Sequence, residues 1–211
     1  DESTLTESYG RFHAQPFERG FGTTIGNALR RVLLSSIEGA AVTAVKIDNV
    51  LHEFSPIPGV VEDATDIILN LKRLRISYSG DNPTTCRINA SKKGVVPGAD
   101  VECEGDAEVV NKDLRIAELT MDRDLEIELD VRRGRGYVPA DENAIELEGI
   151  IGKIPVDSIY SPVMRVRYSI EQTRVGKLTN YDRLMLEIWT DGTVSPEMAL
   201  IESARQLVAE R

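Results

Sequence analysis

Apolar and polar residues alternate most clearly between positions 125 and 132. Leu125, Ile127, Leu129 and Val131 are each followed by a charged residue, and this period of two predicts a half-buried strand with one wet, acidic face. Shorter patterns of the same kind, bounded by Gly, Pro and Asp, predict further strands. These strands are expected at positions 9–14, 40–47, 74–79, 85–90, 114–119, 163–170 and 184–189.

Apolar residues at helical spacing predict three helices. The first is expected at 24–36 behind a Thr23/Thr24 cap, and its apolar face is formed by Ile25, Ala28, Leu29, Val32 and Leu33. A second, shorter helix is predicted at 61–71. The third starts at Pro196 behind a Ser195 cap, after Asp191-Gly192, a dipeptide typical of hairpin turns. One face of this helix carries Leu200, Ile201, Ala204, Leu207 and Val208.

The first predicted helix has two unusual features. Gly26 in its interior costs about 1 kcal/mol relative to alanine, so we expect a neighbouring backbone to approach there. On the opposite, polar face, Leu34 lies near Asn27 and Arg31. An arginine can bind a carboxylate through two hydrogen bonds, and a leucine beside it adds apolar contact. This face therefore has the makeup of a protein-binding surface.

Composition and charge narrow the possible functions. The chain has 211 residues, 41% of them hydrophobic, and a formal net charge of -10 at pH 7. It contains no apolar run of the roughly 18 residues that a membrane span needs, so we expect no membrane association. Proteins that grip nucleic-acid phosphates usually carry a basic face, and direct DNA binding is therefore not expected. The acidic stretch at 100–130 is interpreted as a solvated face in preference to a cation or partner site.

The candidate chemistry is sparse. Cys86 and Cys103 have no CxxC or disulfide-framework spacing, which predicts reduced cysteines and a cytosolic protein. His13 and His52 are far apart and have no Cys or carboxylate at metal-ligand spacing, so neither a metal nor another cofactor is expected. No nucleophile signature is present, and no catalytic residue can be named.

Three other hypotheses remain open on the residues alone. The spacing of Gly20, Gly22 and Gly26 fits neither phosphate-binding fingerprint, which makes nucleotide binding a weak alternative. The single Arg-Gly-Arg-Gly motif at 133–136 suggests RNA contact less strongly than a surface loop. A carboxylate-based hydrolase or transferase and a generic interaction module are the remaining classes.

Several sequence blocks resemble a known family. The longest, at 17–36, includes the Gly-rich run and the helix that follows it. The other blocks lie at 50–54, 59–63, 67–72, 133–139 and 160–163. In this order they resemble the amino-terminal domain of bacterial-type DNA-directed RNA polymerase alpha subunits. The acidic segment at 82–124 matches no block.

The resemblance implies an α+β fold with a discontinuous dimerisation subdomain, a sheet plus two helices, formed by 1–38 and 163–211. A mostly β subdomain at 39–162 is inserted between these pieces. The family usually continues into a linker and a small helical domain that touches promoter DNA, and this part is not expected within the present sequence.

The implied function is assembly without catalysis. Two copies would form a homodimer that recruits the beta and beta-prime subunits of a nucleotidyltransferase complex, together with omega and sigma in the holoenzyme. The implied location is the bacterial cytoplasm, with the plastid stroma as the weaker alternative.

The resemblance also assigns residues to interfaces. Contacts to the beta subunit are implied for Asn27, Arg31, Leu34, His52, Glu53, Glu62 and Asp63. Contacts to beta prime are implied for Lys72, Tyr168 and Arg174. The dimer interface is implied for Phe21, Ile25, Leu29, Val32, Leu200, Ala204, Leu207 and Val208.

Overall fold

The computed structural model describes residues 1–209. The helices are α1 (Phe21–Ser35), α2 (Ala64–Leu71), α3 (Ala140–Glu146) and α4 (Pro196–Ala209). The strands are β1 (Tyr9–Glu18), β2 (Glu38–Ile47), β3 (Ile76–Ser77), β4 (Thr84–Ala90), β5 (Gly94–Pro97), β6 (Val101–Cys103), β7 (Glu108–Val109), β8 (Arg115–Leu119), β9 (Leu125–Arg135), β10 (Tyr137–Val138), β11 (Ile154–Pro155), β12 (Ser158–Ile159), β13 (Val163–Val175) and β14 (Leu178–Thr190). The predicted α+β class is confirmed.

The chain forms two compact units. One, which we call the discontinuous unit, combines Asp1–Glu38 with Ser161–Arg211, and the other, the inserted unit, is Gly39–Tyr160. The discontinuous unit contains a three-stranded antiparallel sheet in the order β1-β14-β13. From Tyr181 to Thr190 of β14 the even-numbered residues are buried and the odd-numbered ones are half-buried, because α1 packs against the even-numbered side of the sheet.

The core of the discontinuous unit joins this sheet to both of its helices. Its fully or largely buried members are Leu29, Leu33, Ile37, Val163, Val166, Leu184, Leu186, Ile188 and Ala199. The predicted Ser195 cap of the last helix is confirmed, since its Oγ accepts a hydrogen bond from the Met198 backbone at 3.2 Å. The hairpin turn predicted at Asp191-Gly192 is wrong, because these residues connect β14 to α4. The hairpin of β13 and β14 instead turns at Gly176, whose φ of +61° suits a glycine.

The inserted unit is mostly β. A large sheet has the order β6-β4-β9-β2-β3-β7, with β11 added beside β2, and two-stranded sheets are formed by β5-β8 and β10-β12. The inward side chains of β9 pack with α2 around one apolar core. Its largest fully buried side chains are Ile47, Ile67, Leu71, Ile76, Ile88, Ile116, Leu119, Leu125, Ile127 and Leu129. The alternating pattern at 125–132 thus produces the strand that it predicts.

The cysteine prediction is wrong. Cys86 on β4 and Cys103 on β6 are directly paired across antiparallel strands, and they form a disulfide. The 17-residue separation gave no indication of this pairing. Only the strand register, which brings the two Cα atoms to 4.0 Å, places the sulfurs in contact.

Candidate docking surfaces

The amino terminus of α1 is capped by a residue that is distant in sequence. Gly20 has a left-handed backbone, with φ of 90°, and supplies no side chain to the helix. The carboxylate of Asp182 on β14 instead accepts hydrogen bonds from the backbone N–H groups of Gly20, at 2.8 Å, and Gly22, at 3.3 Å. A carboxylate is favourable there because the helix dipole is positive at its amino end. The helix therefore begins at Phe21, and the predicted Thr23/Thr24 cap is wrong.

Gly26 lies where α1 touches the sheet. A Cβ atom at this position would lie 2.7 Å from Cδ2 of Tyr168 and 2.9 Å from Cδ1 of Leu184. The expected close approach is present, but it is made by two side chains and not by a backbone. Tyr168, a predicted beta-prime contact, thus packs against α1 within its own unit.

The residues predicted for the dimer interface fall into three groups. Leu29 and Val32 are each 8% exposed and are buried in the protomer. Ile25, Leu200 and Leu207 are half-buried against the core. Phe21, Ala204 and Val208 are exposed, and Phe21 and Val208 have 54% and 76% of their surface in solvent. The third group therefore forms an unburied apolar surface on α1 and α4.

These two helices are neighbours. Nε2 of Gln206 on α4 donates a hydrogen bond to the backbone oxygen of Ser36, which directly follows α1, at 3.2 Å. Ile201 on α4 is also exposed, at 44%, and lies on the same face as Ala204 and Val208. Exposed apolar side chains on adjacent helices are typical of a surface that another chain covers.

The polar face of α1 is only partly as expected. Asn27, Arg30 and Arg31 are exposed, and Arg31 forms no ion pair or side-chain hydrogen bond with residues 1–209. Arg30 differs, because its Nε lies 3.4 Å from the Val166 backbone oxygen. Leu34, which the helical pattern places on this polar face, is half-buried and packs against the core of its unit. Arg31 is therefore the cation on this face that is available to a partner.

The predicted beta contacts of the inserted unit begin in a loop. Leu51 and Phe54 flank His52 and Glu53, and each of these two apolar residues is 74% exposed. The loop has a fixed conformation: Thr65 Oγ1 donates to the Glu53 backbone oxygen at 2.6 Å. The His52 ring lies 3.2 Å, measured from Nδ1, from the Ser55 hydroxyl. The loop thus presents two apolar side chains from an anchored backbone.

Glu62 and Asp63 already have partners in the inserted unit. The Glu62 side chain is only 11% exposed. It accepts hydrogen bonds from Nη2 of Arg115 at 2.9 Å and from the Glu118 backbone at 2.8 Å. The hydrogen bond to Glu62 is the main reason why the pKa of Arg115 is raised. Asp63 caps α2 by accepting from the Asp66 backbone at 2.8 Å. Their predicted role in beta binding stays a prediction.

The remaining beta-prime candidates are also engaged. Lys72 Nζ donates to Asp157 Oδ2 at 2.9 Å, and this hydrogen bond is the largest cause of a lowered pKa of the Asp157 carboxyl. The second cause is a backbone hydrogen bond from Ala140. Arg174 Nε donates to the Gly176 backbone oxygen at the hairpin turn, at 2.8 Å. Lys72 belongs to the inserted unit, and Tyr168 and Arg174 belong to the discontinuous unit.

Residues 1–209 contain neither a candidate metal site nor a candidate membrane span. In this part of the chain no group of three or more His, Cys, Asp and Glu side chains could hold a metal ion. None of its helices is both long and apolar enough to cross a membrane.

Comparison with known proteins places the chain in a family. A family model described as the RNA polymerase Rpb3/RpoA insert domain matches residues 45–161. The DNA-directed RNA polymerase subunit alpha of Rhodopirellula baltica is 53% identical over 98% of the chain and 62% of that relative. The subunit of the same name from Clostridium perfringens is 54% identical over 98% of the chain and 65% of that relative. The chain belongs to the family of bacterial RNA polymerase alpha subunits.

The family match covers both units. The family model lies almost wholly within the inserted unit, whereas the alignments to the two relatives cover 207 residues each. The chain nevertheless spans somewhat less than two thirds of the length of these relatives, at 62% and 65%.

The most informative residue that sequence reasoning missed is Asp182. It lies 162 residues from Gly20, and nothing in the local sequence of β14 distinguishes it from the other acidic residues of the chain. Its only signal is its place in the pattern, because it is the one charged residue on the buried, even-numbered side of β14.

Proposed function

We propose that the chain is a non-catalytic assembly scaffold of DNA-directed RNA polymerase. In this proposal two copies form a homodimer, and the dimer recruits the beta and beta-prime subunits that carry out nucleotidyl transfer in the cytoplasm. Family membership supports the role in the polymerase. The separate surfaces of α1 support the role as a scaffold.

The observation that carries the proposal is the pair of exposed surfaces on α1. One is apolar: Phe21 is 54% exposed, and Ile25 and Ala28 beside it are half-buried. The other is polar and carries Arg31, whose guanidinium has no partner within residues 1–209. A helix that is already fixed to its own core by Leu29 and Leu33 can thus contact two further chains.

The apolar surface suits a symmetric dimer. The neighbouring helix α4 also has exposed apolar residues, namely Ile201, Ala204 and Val208, and obligate homodimers typically bury 2,000 Å² or more of surface in total. In a two-fold dimer each helix can face its own counterpart or the neighbouring helix of the other copy. We therefore assign dimer contacts to the exposed residues and a protomer-core role to Leu29 and Val32.

The polar surface suits a larger partner. An exposed, unpaired arginine can form two parallel hydrogen bonds with a carboxylate of the partner. In the inserted unit, the exposed side chains of Leu51 and Phe54 beside His52 supply apolar anchors of the kind found at binding hot spots. We propose that both surfaces contact the beta subunit.

Light scattering after size exclusion tests the dimer. The wild-type chain should have the mass of two copies, and an Ile201→Glu/Val208→Glu variant should have the mass of one while it keeps its helical circular dichroism. Val95→Glu/Val110→Glu makes the same kind of change at two exposed apolar positions of the inserted unit and should remain dimeric. A monomeric wild type, or a dimeric double variant, would refute the proposed interface.

A further inference from the structure

The sheet of the discontinuous unit has a second face, opposite to the one that α1 covers. The strand register places side chains from all three strands together on it. We call it the arginine–aromatic face, and it is defined by Tyr9, Arg11, Arg165, Arg167, Arg183 and Trp189. Neither dimer contacts nor the proposed beta contacts lie on this face.

The first row of this face is aromatic. Tyr9, Trp189 and Arg165 are aligned across β1, β14 and β13. The rings of Tyr9 and Trp189 have centroids 5.1 Å apart, and the Arg165 guanidinium lies 4.8 Å from the Trp189 ring centroid. Arg165 has no carboxylate partner within residues 1–209. Its charge is therefore held in place by a cation–π contact but is not neutralised.

The second row has one carboxylate for two arginines. Glu187 lies between Arg11 and Arg167. Its Oε1 accepts the Tyr9 hydroxyl hydrogen bond at 2.7 Å, and its Oε2 is 3.9 Å from Nε of Arg167. Arg11 does not reach it and instead points two nitrogens at the Met185 sulfur, at 3.0 and 3.2 Å. A thioether is a weak acceptor, so the Arg11 charge is also left uncompensated.

Arg183, on β14, is the fourth arginine of this face, and its charge is also poorly compensated. Nη1 of Arg183 is 4.0 Å from a carboxylate oxygen of Glu171, at the limit of an ion pair. Its Nε is buried and has no hydrogen-bond partner within residues 1–209. The pKa of His13, 3.2 Å from Arg183, is lowered first by desolvation and then by the charges of Arg183 and Arg11. Four arginines thus share two carboxylates.

We propose that the arginine–aromatic face binds an extended acidic segment of a partner protein. Guanidinium groups match carboxylates through paired hydrogen bonds. Arg165 and Arg167 lie two positions apart on the same face of β13, and side chains at this separation on a strand are about 6.6 Å from each other. Alternate carboxylates of an extended peptide have the same spacing. The local excess of positive charge stands out in a chain with a net charge of -10.

A single-stranded nucleic acid is the less suitable occupant. Such ligands need an open aromatic face for base stacking, and the Trp189 ring is covered by Arg165. The overall charge of -10 also repels a polyanion, whereas a short acidic peptide meets mainly the local field. The proposed site is thus specific for carboxylates in an extended chain.

Fluorescence anisotropy tests the proposal with labelled peptides and the whole chain. The probe is a seven-residue peptide in which glutamate alternates with serine, and the matched control replaces glutamate with glutamine. At an ionic strength of about 0.1 M the screening length is about 10 Å, so the peptide meets the nearby arginines more than the net negative charge of the chain. The acidic peptide should bind at least tenfold more tightly than the glutamine peptide and than a thymidine octanucleotide.

Variants locate the binding site. Arg165→Gln/Arg167→Gln should weaken binding of the acidic peptide at least fivefold, and Arg11→Gln, on a different strand, should weaken it at least twofold. Arg73→Gln/Lys92→Gln changes the net charge of the chain by the same amount as the first pair, at exposed positions of the inserted unit, and should have less than a twofold effect. Equal weakening by both pairs, preference for the octanucleotide, or no difference between the two peptides would overturn the proposal.

Discussion

Gly26 is where α1 lies closest to the sheet, and alanine at this position should destabilise the protein. The added Cβ would lie 2.7 Å from the Tyr168 ring and 2.9 Å from a Leu184 methyl group. Carbon atoms pack best at about 3.5–4.0 Å. Leu184 is 2% exposed in the core, so it has little room to move. The helix or the two side chains must therefore shift.

Two opposing effects set the size of the change. Alanine is favoured over glycine in a helix by about 1 kcal/mol. Forcing one methyl group into a packed core costs about 1–3 kcal/mol. We expect Gly26→Ala to lower the free energy of unfolding by about 1 kcal/mol, the difference between these terms. Without the steric contact, the same substitution would be stabilising.

Urea denaturation followed by circular dichroism measures the change in the free energy of unfolding. This change is calculated from the shift of the transition midpoint, provided that the dependence of the free energy on urea concentration has the same slope in both proteins. Asn27→Ala is the matched control, because it changes the next residue of the same helix at an exposed position and should leave stability equal or slightly higher. In a Tyr168→Ala background the cost of Gly26→Ala should shrink, since the nearest atoms are gone. A Gly26→Ala variant that is as stable as the wild type, or more stable, would refute the steric reasoning.

Three further predictions follow from other contacts. Asp182→Ala should lower the free energy of unfolding by about 1–2 kcal/mol in urea denaturation, because α1 loses its cap, and an unchanged midpoint would contradict that cap. A reducing agent should destabilise the wild type by about 3 kcal/mol through loss of the disulfide-closed loop, whereas Cys103→Ser should show no response to it. The pKa of Asp157 is depressed below 3.8 by Lys72, so the carboxylate stabilises the fold above that pH and this contribution is lost as pH falls through the lowered pKa. Asp157→Asn should therefore cost more stability at pH 7 than at pH 2, and an equal loss at both would argue against the ion pair.

Patterns with a short period could be read from the sequence. The alternation in β9 and the Ser195-Pro196 start of α4 depend only on residues within a few positions of each other. The sequence did not predict α3. This helix has no buried residue and therefore no apolar period to detect. Local pattern thus identifies elements that bury one side and misses those that bury none.

Contacts between distant residues could not be read in this way. The cap of α1 by Asp182 and the pairing of Cys86 with Cys103 both depend on the register of strands. The burial of Leu34 depends on what packs beyond the polar side of α1, which helical periodicity does not specify. In the candidate site, the helix faces were therefore predictable in outline, whereas the residue that fixes the helix was not.

Co-purification of the beta subunit with tagged dimers tests the scaffold proposal most directly. Arg31→Ala removes the arginine of α1 that lacks a partner within residues 1–209, and Arg30→Ala is its neighbour and matched control. Both variants should remain dimeric by light scattering. We expect Arg31→Ala to retain at least fivefold less beta subunit than Arg30→Ala, and equal retention by the two variants would contradict the assignment of this face to the beta subunit.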